Sequence, residues 1–310
     1  MTAPLRIGLV GAGQWARAYH APMIAESSEA VLTGVWSPRT ERAAALAAEH
    51  AAAPVADLDE LVAASDALAF AVPPAVQADL APRAIAAGRA VILEKPLAAD
   101  LEGARALAGL VARAGVVSAV TLTKRYHART RRLVRDAAAL AAAGPVLAVT
   151  ARYVHGGMLD HGFLDERERG GWRTELGVVA DLGPHLLDLA EAVAGEIVQV
   201  RALGDPREAV RLETEHASGA GGQLLLSSRV GAPGALTDVA VHGHAGALAY
   251  TTRGLRIEES RRRLLREFVR AVRGGPPVTV DAAHAVRVQA LVDAAGLALR
   301  SGAAVDPRRS

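Results

Sequence analysis

The chain has no cysteine, which excludes disulfides, thiolate nucleophiles and cysteine-ligated zinc together. Aromatic residues make up only 3% of it, too few for the interleaved aromatic and basic surface that grips nucleic acid. Charge of one sign is also missing: 35 basic side chains stand against 33 acidic ones, a formal net charge of +2, so the pI near 9.3 reflects the high pKa of arginine rather than a broad basic field. Hydrophobic residues reach 51%, but much of that is alanine, and no uninterrupted apolar run approaches the ~20 residues of a membrane helix. The early run over residues 7–12 is short and rich in glycine, and it lacks a basic start followed by a cleavage site, so it does not read as a signal sequence. These absences predict a cytoplasmic protein with a small-molecule partner, no nucleic acid, no membrane and no metal. The Arg261-Arg262-Arg263 run is expected to solvate a helix face.

Lysine is the scarcest charged residue. Only Lys95 and Lys124 occur among the 35 basic side chains, and Lys95 sits in Leu93-Glu94-Lys95-Pro96, directly after an apolar run. Arginine stays protonated at any working pH, whereas a partly desolvated lysine can lose its proton and regain it. Lys95 is therefore the first candidate for chemistry, and Lys124 is expected to be an ordinary residue at a domain junction.

At 310 residues the chain is long enough for two domains. Residues 1–122 alternate short apolar runs (5–10, 30–36, 67–72, 90–93, 116–121) with helical stretches (14–25, 40–48, 77–87, 100–114). That rhythm predicts a parallel sheet covered on both faces. Gly88 and Gly115 follow helices and Asp100 precedes one. Residues 123–310 form the expected second domain: an Arg-rich helix from about 124 to 143, a strand over 146–154, further β-rich runs (197–203, 210–216, 223–230, 236–242) and two closing helices (259–273, 281–300). The fold class is thus α/β, an N-terminal parallel sheet followed by an α+β domain with an open, mostly antiparallel sheet. The last helix is a candidate to pack back on the first domain.

Gly11-Ala12-Gly13-Gln14-Trp15-Ala16 follows a strand and opens a helix, the context of a dinucleotide phosphate site. Gly11 allows the tight turn, Gly13 a close backbone approach to the pyrophosphate, and Ala16 close packing of helix on strand. The helix N-terminus then faces the negative charge. The second strand ends in Trp36-Ser37-Pro38-Arg39-Thr40, without the carboxylate that holds the ribose hydroxyls of NAD. Ser37 and Arg39 suit a 2′-phosphate, so NADP is the expected cofactor, with NAD also usable if Arg39 merely stacks on adenine.

Beyond the junction, Asp181 and His185 lie four residues apart in Gly177-Val178-Val179-Ala180-Asp181-Leu182-Gly183-Pro184-His185. On a helix they share a face, and Pro184 implies either that the helix starts close by or that it bends there. A histidine exchanges a proton near neutral pH, and a neighbouring carboxylate can orient it.

Three spellings in this order, Gly11 to Ala16 with His20-Ala21-Pro22, then Glu94-Lys95-Pro96, then Asp181 with Gly183 and His185, resemble the Gfo/Idh/MocA oxidoreductases. Ala71-Val72-Pro73-Pro74 and a closing helix around 265–274 extend the resemblance over essentially the whole chain. It implies an N-terminal Rossmann domain that binds a nicotinamide dinucleotide and a C-terminal domain whose open sheet holds substrate and mediates homodimer or homotetramer formation. By the same resemblance Lys95, Asp181 and His185 line the catalytic site, Val72, Pro73, Pro74 and Glu94 join the cofactor site, and a cis bond precedes Pro96. Two departures stand out: Gln77 occupies a place where the family often has histidine, and the glycine run before the aspartate shrinks to Gly177.

The resulting expectation is reversible hydride transfer at a secondary alcohol or ketone carbon of a sugar, polyol or nucleotide sugar. His185 serves as proton donor, Lys95 as the cation at the alkoxide, and Asp181 orients His185 or holds a neighbouring hydroxyl. Tyr126, His155, Trp172 and Arg173 are softer candidates for substrate contact. The rival from another class is a dinucleotide-sensing regulator without turnover.

Overall fold

The computed structural model describes residues 3–159, 164, 172–232 and 234–309. Its contacts divide the chain into two units, Met1–Tyr126 with Arg256–Val286, and His127–Leu255 with Arg287–Ser310.

The first unit is built on a six-stranded parallel sheet: β1 (Leu5–Val10), β2 (Ala30–Trp36), β3 (Ala53–Val55), β4 (Ala67–Phe70), β5 (Ala90–Leu93) and β6 (Ser118–Val120), in the order β3-β2-β1-β4-β5-β6. The order reverses between β1 and β4, and in such sheets ligands bind at the carboxyl ends of the strands beside that switch point. β4 and β5 are buried at every residue, as a sheet covered on both faces requires. The helices α1 (Ala21–Ala25), α2 (Thr40–Glu49), α3 (Leu58–Ala64), α4 (Pro74–Ala86) and α5 (Leu101–Ala114) connect them, α1 being preceded by a π-wound turn, Ala16–His20. Asp57 and Asp100 start α3 and α5 by accepting the N–H of Asp59 at 2.9 Å and of Gly103 at 2.8 Å. Gly115 ends α5 in the left-handed conformation, φ 63°.

The pair β3 and α3 falls inside the stretch that the sequence left unassigned between residues 48 and 67. Three residues of edge strand carry too little pattern to be seen. What seats α3 is the absence of side chains beneath it: a Cβ at Gly8 would lie 2.7 Å from Leu61, and one at Gly34 3.1 Å from Leu61.

Helix α8 (Ile257–Val272; α6 and α7 follow below) belongs to the first unit, where Leu264, Leu265, Phe268 and Val269 are buried. Its arginine run divides its duties. Arg262 is exposed, but Arg261 is only 7% exposed, donates to the Ala18 carbonyl at 3.1 Å and pairs with Glu26 at 3.2 Å. The expectation that all three solvate a helix face is corrected for Arg261. The last helix, α9 (Ala282–Ser301), starts in the first unit and continues in the second. Just before it, the Val280 carbonyl accepts the Val120 N–H at 2.9 Å and so pairs the free edge of β6.

The second unit carries the other sheet, mixed but mostly antiparallel: β7 (Val146–Val154), β8 (Ile197–Asp205), β9 (Ala209–His216), β10 (Gly221–Ser227), β11 (Leu236–Gly243) and β12 (Gly246–Thr251), in the order β12-β11-β7-β10-β9-β8, with only β7 and β10 parallel. One face packs on α6 (Ala128–Ala143) and α7 (Trp172–Ala194) through Leu133, Leu182, Leu186, Leu212 and Leu226. The other face is solvated and carries Arg152, paired with Asp238 at 2.6 Å, beside Leu203, which is 63% exposed. Residues 123–126 are not the start of α6 as expected but a separate 3-10 turn, Thr123–Tyr126. Among the described residues no helix is long and apolar enough to cross a membrane, and no group of three or more acidic, histidine or cysteine side chains could hold a metal.

Candidate active site

In the first unit the turns after β1, β2, β4, β5 and β6 lie at the carboxyl end of one parallel sheet, and they carry the residues singled out above. Gly11, directly after β1, has φ 113°, and a Cβ there would stand 2.3 Å from the Ala71 carbonyl oxygen after β4. Only glycine fits. At Gly13 a Cβ would meet nothing within 4 Å, so the backbone at the start of the helical stretch borders open space in which a pyrophosphate would fit. Ala16 is fully buried, as close helix–sheet packing demands. Ser37 is buried, and its Oγ accepts the Arg39 N–H at 3.3 Å, while the Arg39 side chain is exposed; no carboxylate stands at residues 37–40. Val72 is half-buried, Pro73 exposed and Pro74 buried at the start of α4.

Glu94 ties the glycine turn to the Lys95 turn. Its Oε1 accepts the Trp15 indole N–H at 2.7 Å and meets His20 Nε2 at 2.7 Å, and its Oε2 accepts the Lys95 N–H at 3.2 Å. Trp15 in turn stacks on Tyr19, centroids 4.9 Å apart. The Lys95–Pro96 bond is cis, as the family resemblance implies. Gln77, fully buried, holds both sides of this turn: its carboxamide N–H groups donate to the carbonyls of Glu94 at 3.0 Å and Leu97 at 2.9 Å, and its oxygen accepts the Glu94 N–H at 2.7 Å. The departure from histidine at this place is therefore a backbone clamp, a role invisible in the sequence because its partners lie 17 and 20 residues away.

The other lysine is not the ordinary residue expected. Lys124 is 8% exposed, and burial together with the charge of Lys95 pushes its pKa down to about 7. Tyr126, expected as a substrate contact, is fully buried with its hydroxyl donating to the Val120 carbonyl at 3.2 Å; it belongs to the core, which offers a substrate no surface.

In the second unit α7 is broken at Gly177 (φ 72°, ψ −172°), where a Cβ would lie 2.7 Å from Pro206. Pro184 lies inside the helix, so it is not the start. Asp181 and His185 are 8% and 6% exposed, and Asp181 pairs with Arg173 at 3.4 Å. Tyr153, near the end of β7, sets its ring edgewise against His185 (5.8 Å) and His155 (5.7 Å). Burial and the Asp181 charge raise its phenol pKa. His155 Nδ1 accepts the Gly157 N–H at 3.0 Å, which leaves Nε2 as the protonated nitrogen of the neutral ring. The structure thus gathers Asp181, His185, Arg173 and His155 around Tyr153, which the sequence reading missed. The signal was its place two residues before His155 on one face of a strand. The Trp172 side chain lies outside the described residues.

Residues 5–122 match the family described as oxidoreductase family, NAD-binding Rossmann fold, and residues 131–249 match the GFO/IDH/MocA C-terminal domain. The chain is 35% identical over 123 residues to UDP-N-acetylglucosamine 3-dehydrogenase of Acidithiobacillus ferrooxidans, a match over 40% of this chain that spans 38% of that relative's own length. It is 30% identical over 257 residues to dTDP-3,4-didehydro-2,6-dideoxy-alpha-D-glucose 3-reductase of Streptomyces violaceoruber, covering 75% of this chain and 72% of the relative. Among solved structures, GenD2 from gentamicin A biosynthesis, in complex with NAD, superposes with a TM-score of 0.87 at 26% identity, over 99% of this chain and 97% of that one. With both domains matched and a relative covered over most of its length, the chain belongs to the Gfo/Idh/MocA oxidoreductase family.

Proposed function

We propose that the protein is a nicotinamide-dependent oxidoreductase that moves hydride to or from a secondary alcohol or ketone carbon of a sugar, polyol or nucleotide sugar, with NADP(H) favoured. The observation that carries this reading is the Glu94 hub, which fixes Lys95 beside a glycine turn shaped for a pyrophosphate. The names of two relatives, a 3-dehydrogenase and a 3-reductase of nucleotide sugars, support carbon 3 of a sugar ring as the reacting centre. The preference for NADP rests on Ser37 and Arg39 and on the missing carboxylate after β2.

The bound dinucleotide supplies or accepts the hydride. In the reductive direction the substrate carbon gains hydride, and its oxygen gains a proton from His185. Lys95 holds the developing negative charge on that oxygen. Asp181, paired with Arg173, orients the site around His185. The reading includes a homodimer or homotetramer, supported by the solvated face of the second sheet with Leu203 and Leu225 exposed.

The test follows NADPH and NADH absorbance against a panel of keto and hydroxy sugars, free and nucleotide-linked. Turnover with a sugar, faster with NADPH, is the expected result. Dinucleotide binding without turnover on any member of the panel would replace this reading with the sensor one.

A further inference from the structure

Between the glycine turn and α1 the chain winds as a π-turn, Ala16–His20, closed by the Ala21 N–H on the Ala16 carbonyl five residues back. Such turns have poorer hydrogen-bond geometry than an α-helix and recur at functional sites. Their winding brings residues five apart to one side of the axis, where α-winding would set them about 140° apart. Trp15 and His20 are five apart, and both reach one oxygen: Glu94 Oε1 lies 2.7 Å from the Trp15 indole nitrogen and 2.7 Å from His20 Nε2. Side chains hold this winding in place. Pro22 has no N–H to give the Ala18 carbonyl four residues earlier, and Arg261 of α8 donates to that carbonyl at 3.1 Å instead. The buried Tyr19 hydroxyl lies 3.3 Å from Ser260 Oγ, also on α8, and the Tyr19 ring stacks within 10° of parallel on Trp15. His20 is fully buried, and its Nδ1 meets no partner among the described residues, so the proton of the neutral ring sits on Nε2 and is given to Glu94.

Trp15 stands two residues past Gly13, whose backbone borders the space for a pyrophosphate, and it keeps 36% of its surface exposed. Any flat ring stacked on Tyr19 would satisfy the packing. What tryptophan adds is an N–H, and that N–H is spent on a buried carboxylate whose other oxygen accepts the Lys95 N–H at 3.2 Å. Glu94 is thus held from two sides, Oε1 by the residues after the glycine turn and Oε2 by the Lys95 backbone, and the planar group cannot rotate without giving up one of them. We propose that Trp15 is a positioning residue for Lys95, acting through Glu94: its indole N–H fixes the carboxylate that fixes the Lys95 backbone, so a dinucleotide settling on the glycine turn meets the Lys95 turn already in place. This rests on the oxidoreductase reading for its consequence in turnover, though not for the link between the two turns. A cation stabilises developing charge best when its position is set before the reaction begins.

Because the chain has two lysines only, ¹⁵N-lysine labelling of the full chain gives two backbone amide signals, assigned with Lys95→Arg. In Trp15→Phe, which keeps the stack on Tyr19 but has no N–H, the Lys95 amide is expected to exchange with water about tenfold faster while the Lys124 amide holds its rate. Glu94→Gln leaves one acceptor oxygen for three donors and reads the same link from its other end, even if Trp15→Phe misfolds. There the Lys95 amide and, with ¹⁵N-tryptophan, the Trp15 indole proton should both exchange faster, and the Trp36 indole proton should not. A Lys95 amide that ignores these substitutions, or equal acceleration at both lysines, overturns the link. Turnover on the sugar panel reads its consequence: Trp15→Phe should lower kcat about tenfold with dinucleotide KM within a few fold. The Trp15→Phe, Glu94→Gln double variant should lose no more than Glu94→Gln alone. A loss confined to dinucleotide KM would make the ring a plain cofactor contact, and losses that multiply in the double variant would separate it from Glu94; either overturns the proposal. Lack of turnover on every sugar would remove the oxidoreductase reading while the exchange rates still decide the link between the turns.

Discussion

Gln77 and Glu94 bind each other through the backbone of one and the side chain of the other: the Gln77 oxygen accepts the Glu94 N–H at 2.7 Å, and its amide nitrogen donates to the Glu94 carbonyl at 3.0 Å. The same nitrogen also reaches the Leu97 carbonyl, so one side chain satisfies three backbone groups on both sides of Lys95. Gln77→Leu should leave those buried groups unpaired and cost about 2–4 kcal/mol in unfolding free energy. Chemical denaturation measures it, and a loss under 1 kcal/mol would show that the clamp is dispensable. Turnover should fall with it, since Lys95 loses its fixed turn.

The two glycines of the first turn should fail differently. Gly11→Ala puts a Cβ against the Ala71 carbonyl at positive φ and should destabilise the fold by roughly 2–4 kcal/mol. Gly13→Ala has room in the free protein, so its melting temperature should hold, while the dinucleotide Kd rises about tenfold as the Cβ occupies pyrophosphate space. Calorimetry and fluorescence titration separate the two.

Arg39→Ala should weaken NADPH about tenfold relative to NADH, ~1.4 kcal/mol, through the loss of a cation at the 2′-phosphate. An unchanged NADPH to NADH ratio would withdraw the cofactor preference.

Lys95→Arg keeps the positive charge but replaces a compact ammonium with a larger planar guanidinium that cannot take the same place at the substrate oxygen. Dinucleotide affinity should stay within a few fold while kcat drops by roughly 10²-fold or more. Unaltered turnover would remove Lys95 from the chemistry.

Lys124 also predicts a pH dependence of stability. An ordinary lysine titrates near 10.5, and folding lowers Lys124 to about 7, so between those values the unfolded chain binds more protons and stability rises with pH. Below about pH 7 the full cost of burying the charge is present, and it is relieved as pH climbs toward 10.5. Lys124→Met should therefore raise the melting temperature at pH 6, by an amount on the order of a few kcal/mol in stability, and raise it far less at pH 10. Thermal melts at the two pH values check this.

Features that depend on neighbours along the chain are legible in the amino-acid order. The glycine turn after β1, the Glu94-Lys95-Pro96 spelling after β5, the N-cap at Asp100 and the left-handed stop at Gly115 are all set by local sterics and hydrogen bonding, and each can be read within a few residues. The four-residue spacing of Asp181 and His185 likewise puts them on one helix face. Short elements were lost because three-residue β3 carries no readable period and β12 follows a two-residue turn in a glycine-rich stretch. Packing, in contrast, decides who meets whom across the sheets. Strand order makes neighbours of β5 and β6, and so brings Lys124 to Lys95. Helix packing turns Gln77 inward as a clamp, and the register of β7 sets Tyr153 against His185. Tyr126 goes the other way, into the core, because its hydroxyl finds a backbone carbonyl at the start of its own turn. Those encounters depend on which surfaces bury together, and burial is a property of the folded whole that no local window of sequence contains.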